Sequence, residues 1–343
     1  MNRIDEVAVG IVDLDTYVPD RFMPASEISE LSGIPESVLV DKFGIKGKHV
    51  TRPDEHVSDM CISAARSLLE RNDPSEVDAV VYFGSHWKDY MVWQAAPKIQ
   101  HALGIEGFAM EMVNVSAGAP VGLKAVTDML RADPHLNSVL MVGAAKESHL
   151  LDYSNERSRF MFNFGDGAVA ALLRKGETSN QVLASSILTD GSFSDHVRVS
   201  GGGSVHPASH DTVDDRMHFL QLYYGEEMKR RLDPITLKYF IKVATESVER
   251  SGYLVSDIDM LLPIHMKKSL HDSIAVELGL REDQSIYLDH FGHMSAVDPL
   301  FALTLARDAG ALNDGDIAVL LAAGTGYSWA ATTVRWGPME SSS

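Results

Sequence analysis

The chain alternates between short runs of apolar residues and longer segments in which apolar residues recur every three or four positions. A run that is apolar at every position is typical of a strand buried on both faces, whereas the longer segments predict amphipathic helices. In the first half, the pattern predicts strands at 77–85, 108–115, 137–145 and 167–173. Because helical segments alternate with the strands, it predicts parallel sheets that helices cover on both faces.

The same rhythm returns in the second half, after a polar, glycine-rich stretch at 201–211 that we expect to form a loop. A helix follows, for which we predict Asp233 as the N-cap, Pro234 at the first helical position and Gly252 as the stop. The pattern then predicts a strand, a helix, a strand, a helix and a strand at 259–264, 271–280, 284–292, 298–310 and 316–324.

Composition excludes several classes of protein. With 45% hydrophobic and 23% charged residues among 343, the chain has the composition of a soluble globular enzyme. The net charge of −18 argues against nucleic acid as a partner. No apolar run reaches about 18 residues, so we expect no membrane span, and acids in the first apolar stretch argue against a signal peptide. The single cysteine, Cys61, favours a reducing cytoplasm, and its helical surroundings predict a buried structural thiol.

Ser116 lies where an apolar run, a turn of small residues and a helical pattern meet, in the segment VNVSAGAPVGLKAV. A strand, a tight turn and a helix N-terminus would place its hydroxyl at the positive end of the helix dipole, near free backbone N–H groups. We therefore interpret Ser116 as a candidate nucleophile.

Together with this turn, five segments in order resemble the ketoacyl-ACP synthase III branch of the thiolase superfamily. They are FGIKGKHVTRPDEHVSDM, FNFGDGAVAALL, LLPIHMKKSL, LDHFGHMSAVDPLFAL and AAGTGYSW. The resemblance implies an α/β thiolase fold, a duplicated five-layered α-β-α-β-α architecture. It implies an N-terminal half at 1–175 that carries the nucleophile turn, a C-terminal half at 176–343 that carries the His and Asp residues, and a homodimer.

The chain departs from the family at the residues that carry the chemistry. Ser116 stands where the family normally has its nucleophilic cysteine, and His293 stands where it has an asparagine. A serine hydroxyl ionises less readily than a thiol, so it needs a positioned base and a third group that orients the base. His293 and Asp298 supply such a pair, and the resemblance implies that their loop and the Ser116 turn line one pocket.

His265 matches the family's own catalytic histidine, which in decarboxylating synthases holds a thioester carbonyl together with the asparagine. Two interpretations stay open for it: a donor to the oxyanion or substrate, or a pocket histidine that protein groups satisfy. By resemblance, the oxyanion hole consists of the backbone N–H groups of Ser116 and Thr325, and Gly324 and Gly326 keep the second turn permissive.

The resemblance also suggests the acyl donor. The family holds CoA with a tryptophan and an arginine, and Val38 and Lys42 stand at those positions here. Lys242 matches a basic position near the family's carrier-protein docking face, and we expect Lys267 and Lys268 to help dock an acidic carrier protein. We predict an acyl carrier protein or CoA thioester as substrate, with no metal and no separate cofactor.

Other basic residues cluster at 46–49 and 229–231, which we interpret either as solvated helix ends or as a positive patch for the same acidic partner. The two interpretations differ in whether these side chains face solvent alone or a bound macromolecule.

Three functions from different classes remain. The first is an acyltransferase that moves an acyl group through Ser116 to an acceptor in a fatty-acid-like or natural-product (polyketide) pathway. The second is a decarboxylative ketoacyl synthase in which His265 and His293 hold the enolate oxygen. The third is a non-catalytic partner subunit of a synthase. Retention of Ser116, His265, His293 and Asp298 favours a catalyst, and the loss of both cysteine and asparagine favours acyl transfer.

Overall fold

Nine of the strands form one hydrogen-bonded array in the computed structural model, which describes residues 7–338. The predicted halves include residues 1–6 and 339–343, which lie outside the described residues. The start of the stretch that argues against a signal peptide lies outside them too. The strands are β1 Val9–Tyr17, β2 Phe22–Pro24, β3 Gly47–His49, β4 Ala79–Tyr82, β5 Phe108–Glu111, β6 Ser138–Ala145, β7 Gly167–Lys175, β8 Gln181–Thr189, β9 Val197–Arg198, β10 Gln221–Leu222, β11 Ile258–Pro263, β12 Ile317–Gly324 and β13 Ser328–Arg335. The helices are α1 Ala25–Ser32, α2 Glu36–Val38, α3 Val57–Leu69, α4 Ala95–Ala102, α5 Gly118–Ala132, α6 His210–Asp214, α7 Gly225–Arg231, α8 Asp233–Arg250, α9 Lys268–Glu277 and α10 Asp298–Asp308.

The array runs in the order β11-β12-β13-β8-β1-β7-β6-β4-β5, and it divides between β8 and β1. The strands β8 and β1 are joined by only one residue pair, Gly10 with Gln181. All other neighbouring strands of the array are joined by four to eight residue pairs. Each side of this junction is therefore a sheet of its own. The predicted boundary at 175/176 falls in the connection between β7 and β8, and the division into two domains stays a prediction.

Helices form three layers around the two sheets. The central helices α5 and α10 pack against strands of both sheets. On the outside, α3 and α4 cover the β1-β7-β6-β4-β5 sheet, while α8 covers β8, β12 and β13 and packs against α9. Three hydrophobic clusters follow this division, one between the sheets and one under each outer layer. The five-layered α-β-α-β-α fold is confirmed.

The apolar runs that are buried at every position became strands. All eight residues of β6 and the first seven of β7 are buried, in agreement with the predictions at 137–145 and 167–173. The prediction of parallel sheets was wrong in part, because β7 is antiparallel to β1 and β6, and β13 is antiparallel to β8 and β12. A turn of only three residues joins β12 to β13, and so short a connection can join only antiparallel strands.

Two further predictions need correction. The segment 284–292 is not a strand: it meets β11 through a single bridge, Ser285 with Leu261, and then turns through Gly292, whose φ is +69°. The N-cap of α8 is Leu232 and not Asp233, which places Pro234 second in the helix. Leu232 keeps helical dihedral angles because α7 ends directly before it, so no extended residue precedes the helix.

The remaining elements follow the sequence. The 201–211 stretch is loop apart from the start of α6, and α8 ends two residues before Gly252. Cys61 is fully buried in α3, as predicted, and burial raises the pKa of its thiol. Within residues 7–338, none of the helices combines the length and apolar character needed to cross a bilayer.

Candidate active site

Ser116 lies in the turn between β5 and α5, two residues before the helix begins. The predicted strand at 108–115 is shorter than expected, because the chain leaves the sheet after Glu111. Val115 has φ +43°, a region that costs a β-branched residue conformational energy, and it directs the next residue out of the strand line. The serine is buried, with 6% of its surface exposed, and it immediately precedes Ala117, the N-cap of α5.

Ser116, His293 and Asp298 form a continuous hydrogen-bonded set. Ser116 Oγ lies 2.8 Å from His293 Nε2, and His293 Nδ1 lies 2.6 Å from Asp298 Oδ2. Because a carboxylate can only accept, Nδ1 carries the proton and Nε2 offers its lone pair to the serine hydroxyl. The structure thus brings together the three residues that the sequence proposed, in the geometry of a nucleophile, a base and an orienting acid.

Several elements fix His293 and Asp298. The backbone of His293 bonds Asn163 O at 2.9 Å and Gly165 N at 3.0 Å, and the Phe164 ring meets the imidazole edge-on with 4.8 Å between centroids. Asp298 is fully buried as the first residue of α10, where its charge favours the helix N-terminus. Its other oxygen, Oδ1, accepts the N–H of Met294 at 2.7 Å.

The predicted oxyanion turn lies directly against the nucleophile turn. A Cβ on Gly324 would come within 2.9 Å of Asn114 O and Ala117 N and within 3.1 Å of Ser116 N, so this close approach requires glycine. Thr325 and Gly326 follow in the hairpin turn between β12 and β13. The position of the hairpin agrees with the expected pairing of Ser116 N–H and Thr325 N–H, whose role in binding an oxyanion stays a prediction.

His265 follows β11, and both of its ring nitrogens are occupied. Nε2 lies 3.1 Å from Gly44 O, and Nδ1 lies 2.8 Å from the side-chain nitrogen of Asn163. Burial lowers the pKa of His265 to about 4, and the Tyr287 ring stacks on the imidazole. Both ring nitrogens of His265 are therefore hydrogen-bonded to protein groups. To bond a substrate, the ring would have to give up one of these two partners.

Three buried polar residues around the set were not predicted to belong to the site. Asn163 lies within the FNFGDG motif, where an amide between two phenylalanines was the available signal. Lys48 is fully buried, so the prediction that its basic cluster lies at a solvated helix end or on a docking patch is wrong for this side chain. Glu147 follows β6, and burial raises its pKa to about 7.

The predicted docking lysines lie on the outer helical layer. Lys242 of α8 pairs with Glu246 at 3.8 Å, Lys268 at the start of α9 pairs with Asp272, and Lys267 is exposed. Two of the three charges are thus balanced locally, and their role in docking stays a prediction. Similarly, Val38 packs on a small apolar cluster and Lys42 is exposed, so an aromatic platform for an adenine ring is missing at that position.

One open groove does not contain the set of Ser116, His293 and Asp298. The groove, about 830 Å³ in volume, is lined by Asn155, Arg157 and residues 221–226. Among the described residues, no group of three or more His, Cys, Asp or Glu side chains is arranged to hold a metal ion.

A five-layered α/β architecture with Ser116 in the turn between β5 and the central helix α5 is a thiolase fold. Residues 110–191 match the family described as 3-oxoacyl-[acyl-carrier-protein] synthase III, and residues 248–336 match its C-terminal family. The chain belongs to the ketoacyl-ACP synthase III-like branch of the thiolase superfamily.

Relatives and solved structures cover nearly the whole chain. The β-ketoacyl-ACP synthase III of Desulfitobacterium hafniense strain Y51 is 29% identical over 96% of this chain and 98% of its own. That of Syntrophomonas wolfei is 27% identical over the same shares. The crystal structure of the Thermus thermophilus synthase III superposes with a TM-score of 0.83 at 25% identity, over 96% of this chain and 100% of that one. The priming β-ketosynthase of the R1128 polyketide pathway, at 22% identity and a TM-score of 0.83 over 99% of both chains, shares the fold.

Proposed function

We propose that the protein is an acyltransferase that moves an acyl group from a thioester through Ser116 to an acceptor. The observation that carries the proposal is the hydrogen-bonded set of Ser116 Oγ, His293 Nε2 and Asp298 Oδ2, with spacings of 2.8 and 2.6 Å. A cysteine at this turn would need no such relay, whereas a serine does.

In the first half-reaction, His293 Nε2 takes the proton of Ser116 as Oγ attacks the thioester carbonyl. The backbone N–H groups of Ser116 and Thr325 stabilise the oxyanion, and the N-terminus of α5 adds its positive potential. The carbon–sulfur bond then breaks, the thiol leaves with the proton from His293, and the acyl group stays on Ser116 as an ester. Asp298 keeps the imidazole in the required tautomer and balances its transient positive charge.

In the second half-reaction, His293 takes the proton of the acceptor, whose oxygen, nitrogen or sulfur attacks the ester carbonyl. The same N–H groups hold the second oxyanion, and Ser116 leaves with the proton from His293. The base thus acts once on each side of the reaction, so a single set of residues supports both transfers.

Decarboxylative condensation is the second candidate, and the names of the relatives favour it, since they are β-ketoacyl-ACP synthases III. Two features of this chain speak for acyl transfer instead. The family's asparagine is replaced by His293, whose ring is committed to Ser116 and Asp298, and the Nε2 proton of His265 is committed to Gly44 O. A partner subunit without catalysis would have no use for this buried relay.

For partners, we propose an acyl carrier protein or CoA as the acyl donor and a second copy of the chain as a permanent neighbour. Support for the carrier comes from the positions of Lys242, Lys267 and Lys268 on an otherwise acidic protein. Support for the homodimer comes from β5, the outermost strand of the array, where Phe108 is exposed. The cytoplasmic location expected from the single cysteine stays a prediction.

Intact-protein mass spectrometry tests the nucleophile. Incubation with acyl thioesters of CoA and of a carrier protein should add one acyl mass to the wild-type protein and none to Ser116→Ala. Ser116→Cys should still become acylated, because a thiol at a helix N-terminus is intrinsically more reactive. Ser273→Ala, a serine of α9 away from the set, is the matched control and should label like the wild type. Equal labelling of Ser116→Ala would overturn the proposal.

A further inference from the structure

A single buried residue, Asn163, contacts both histidines of the candidate active site. Its backbone oxygen accepts the N–H of His293 at 2.9 Å, and its side-chain nitrogen lies 2.8 Å from His265 Nδ1. The two histidines belong to different loops, since His265 follows β11 and His293 precedes α10. Asn163 therefore fastens the two loops to each other.

The partners of the His265 ring fix the direction of this hydrogen bond. Gly44 O, 3.1 Å from Nε2, can only accept, so Nε2 carries the proton of the neutral imidazole. The other nitrogen, Nδ1, then offers a lone pair, and the amide N–H of Asn163 donates to it. Since burial lowers the pKa of His265 to about 4, the ring is neutral at physiological pH and this arrangement persists.

The position of His265 bears directly on the orienting acid. Its backbone N–H donates to Asp298 Oδ2 at 2.8 Å, and the same oxygen accepts from His293 Nδ1 at 2.6 Å. A shift of the His265 loop would therefore move the carboxylate that orients the base. Asn163 holds the His265 loop through its hydrogen bond to the imidazole ring of His265. It holds the His293 loop through its hydrogen bond to the backbone N–H of His293.

Lys48 clamps the segment that carries Asn163. Its Nζ lies 2.7 Å from Phe162 O and 2.6 Å from Phe164 O, the two carbonyls on either side of Asn163. The side chain is fully buried, and burial lowers the pKa of Lys48 to about 7. The amine keeps at least two N–H groups in either protonation state, so both bonds survive its titration.

The side-chain amide of Asn163 is a liability for folding. Its Oδ1 is buried and has no hydrogen-bond partner within the described part of the chain. Burying a carbonyl oxygen without a partner is destabilising, and an apolar side chain of similar size would avoid that cost. What the amide contributes in return is the hydrogen bond that its N–H donates to His265 Nδ1.

We propose that Asn163 is a positioning residue for the set of Ser116, His293 and Asp298, acting through His265. The proposal rests on the proposed function for the role of that set, but not on the identity of the acyl donor or acceptor. In it, the ring of His265 serves as a fixed support, and its backbone N–H holds the acid in register with the base.

Asn163→Leu tests the proposal, because it removes the amide and keeps the backbone bond to His293. The readout is labelling of Ser116 by a fluorophosphonate, in which Oγ bonds phosphorus, fluoride leaves and His293 takes the proton. We expect the limiting labelling rate to fall at least about tenfold, as for a small misplacement of a catalytic group, with the half-saturating probe concentration unchanged. The thermal midpoint should stay level or rise.

Two further variants sharpen the result. Asn163→Asp keeps the shape but replaces the donor by an acceptor, so it should lose a similar factor, and it serves if the leucine variant fails to fold. Tyr153→Phe is the control: it removes a hydroxyl that bonds Met23 Sδ, on a ring packed against Phe162, leaves both bonds of Asn163 in place and should label at the wild-type rate. Nitrogen-15 spectra should show the neutral Nε2–H tautomer of His265 in the wild type and a changed Nδ1 shift in Asn163→Leu.

Wild-type labelling of Asn163→Leu would overturn the proposal. So would a rate loss matched by a lower thermal midpoint and weaker probe binding, which would mean a merely structural role. Because the probe requires only an activated serine, this test does not depend on thioester acylation. Failure of the positioning role and failure of the acyltransferase assignment are therefore distinguishable.

Discussion

Asp298 is the residue at which acyl transfer and condensation differ most. It receives three hydrogen bonds, two at Oδ2 from His293 and His265 and one at Oδ1 from Met294. An asparagine there has a single acceptor oxygen, so its NH2 group must face at least one of these donors. Where the NH2 group faces His293, it donates to Nδ1, so the imidazole proton moves to Nε2 and the base toward Ser116 is lost.

We therefore predict that Asp298→Asn lowers the rate of Ser116 acylation by about 10²- to 10⁴-fold. His293→Ala and the double variant should lose about as much as the single one, because the set acts as a unit. Asp289→Asn, an acid in the same loop that pairs with Lys46, is the control and should acylate normally. Release of CO2 from a malonyl thioester by an Asp298→Asn enzyme of near-normal rate would favour the synthase instead.

Glu147 gives a second prediction at this scale, on stability. Burial raises the pKa of its carboxyl from 4.5 to about 7, although the hydroxyls of Ser85 and Ser295 oppose the shift. Between those two values the folded protein holds a proton that the unfolded chain has released, so stability falls as the pH rises through this window. Above it, the penalty amounts to about 3 kcal/mol.

Glu147→Gln removes this ionisation, so it should raise the free energy of unfolding at pH 8 by up to about 3 kcal/mol and much less at pH 5. Denaturant unfolding at the two pH values measures the difference. Glu277→Gln, an exposed residue of α9, makes the same change in net charge and should have little effect at either pH. An equal gain for Glu147→Gln at both pH values would contradict the prediction.

At the scale of the elements, the sequence predicted the strands that consist mainly of buried apolar residues. The strands β6 and β7 were predictable because every position in their apolar runs is buried. The segment 284–292 mixes four apolar residues with polar ones, and it contacts β11 through one bridge only, at Ser285. A hydrophobicity pattern does not record how few residues of such a segment pair with a neighbouring strand, nor that β5 ends at Glu111, short of the predicted Val115.

For the candidate site, the sequence predicted the residues whose positions match a family motif. Ser116, His293 and Asp298 are indeed hydrogen-bonded, although their catalytic roles remain to be tested. Lys48 and Asn163 were missed because their partners are remote in sequence: Lys48 bonds a carbonyl 114 residues away, and Asn163 bonds a ring 102 residues away. Such contacts exist only once segments that are remote in sequence have packed together.

At the scale of the whole molecule, the outer edge of β5 points to a second copy of the chain. β5 ends the strand order, so no strand among residues 7–338 pairs with its outward N–H and C=O groups, and Phe108 exposes 49% of its surface there. The loop before α4 also exposes Tyr90, Met91 and Val92. An apolar edge strand of this kind invites pairing, and two copies related by a two-fold axis would pair β5 with β5.

We therefore expect a stable dimer in sedimentation at micromolar concentration, and we expect Phe108→Lys to weaken it. Burial of one phenylalanine contributes roughly 2 kcal/mol, and symmetry doubles the loss, so the dissociation constant should rise about a thousandfold. Leu254→Lys, an equally drastic change at an exposed site far from β5 in the sequence, should leave the dimer intact. Because Ser116 follows β5 by only five residues, the monomer formed by Phe108→Lys should also acylate more slowly. A monomeric wild type, or equal behaviour of the two variants, would show that the β5 edge is not the interface.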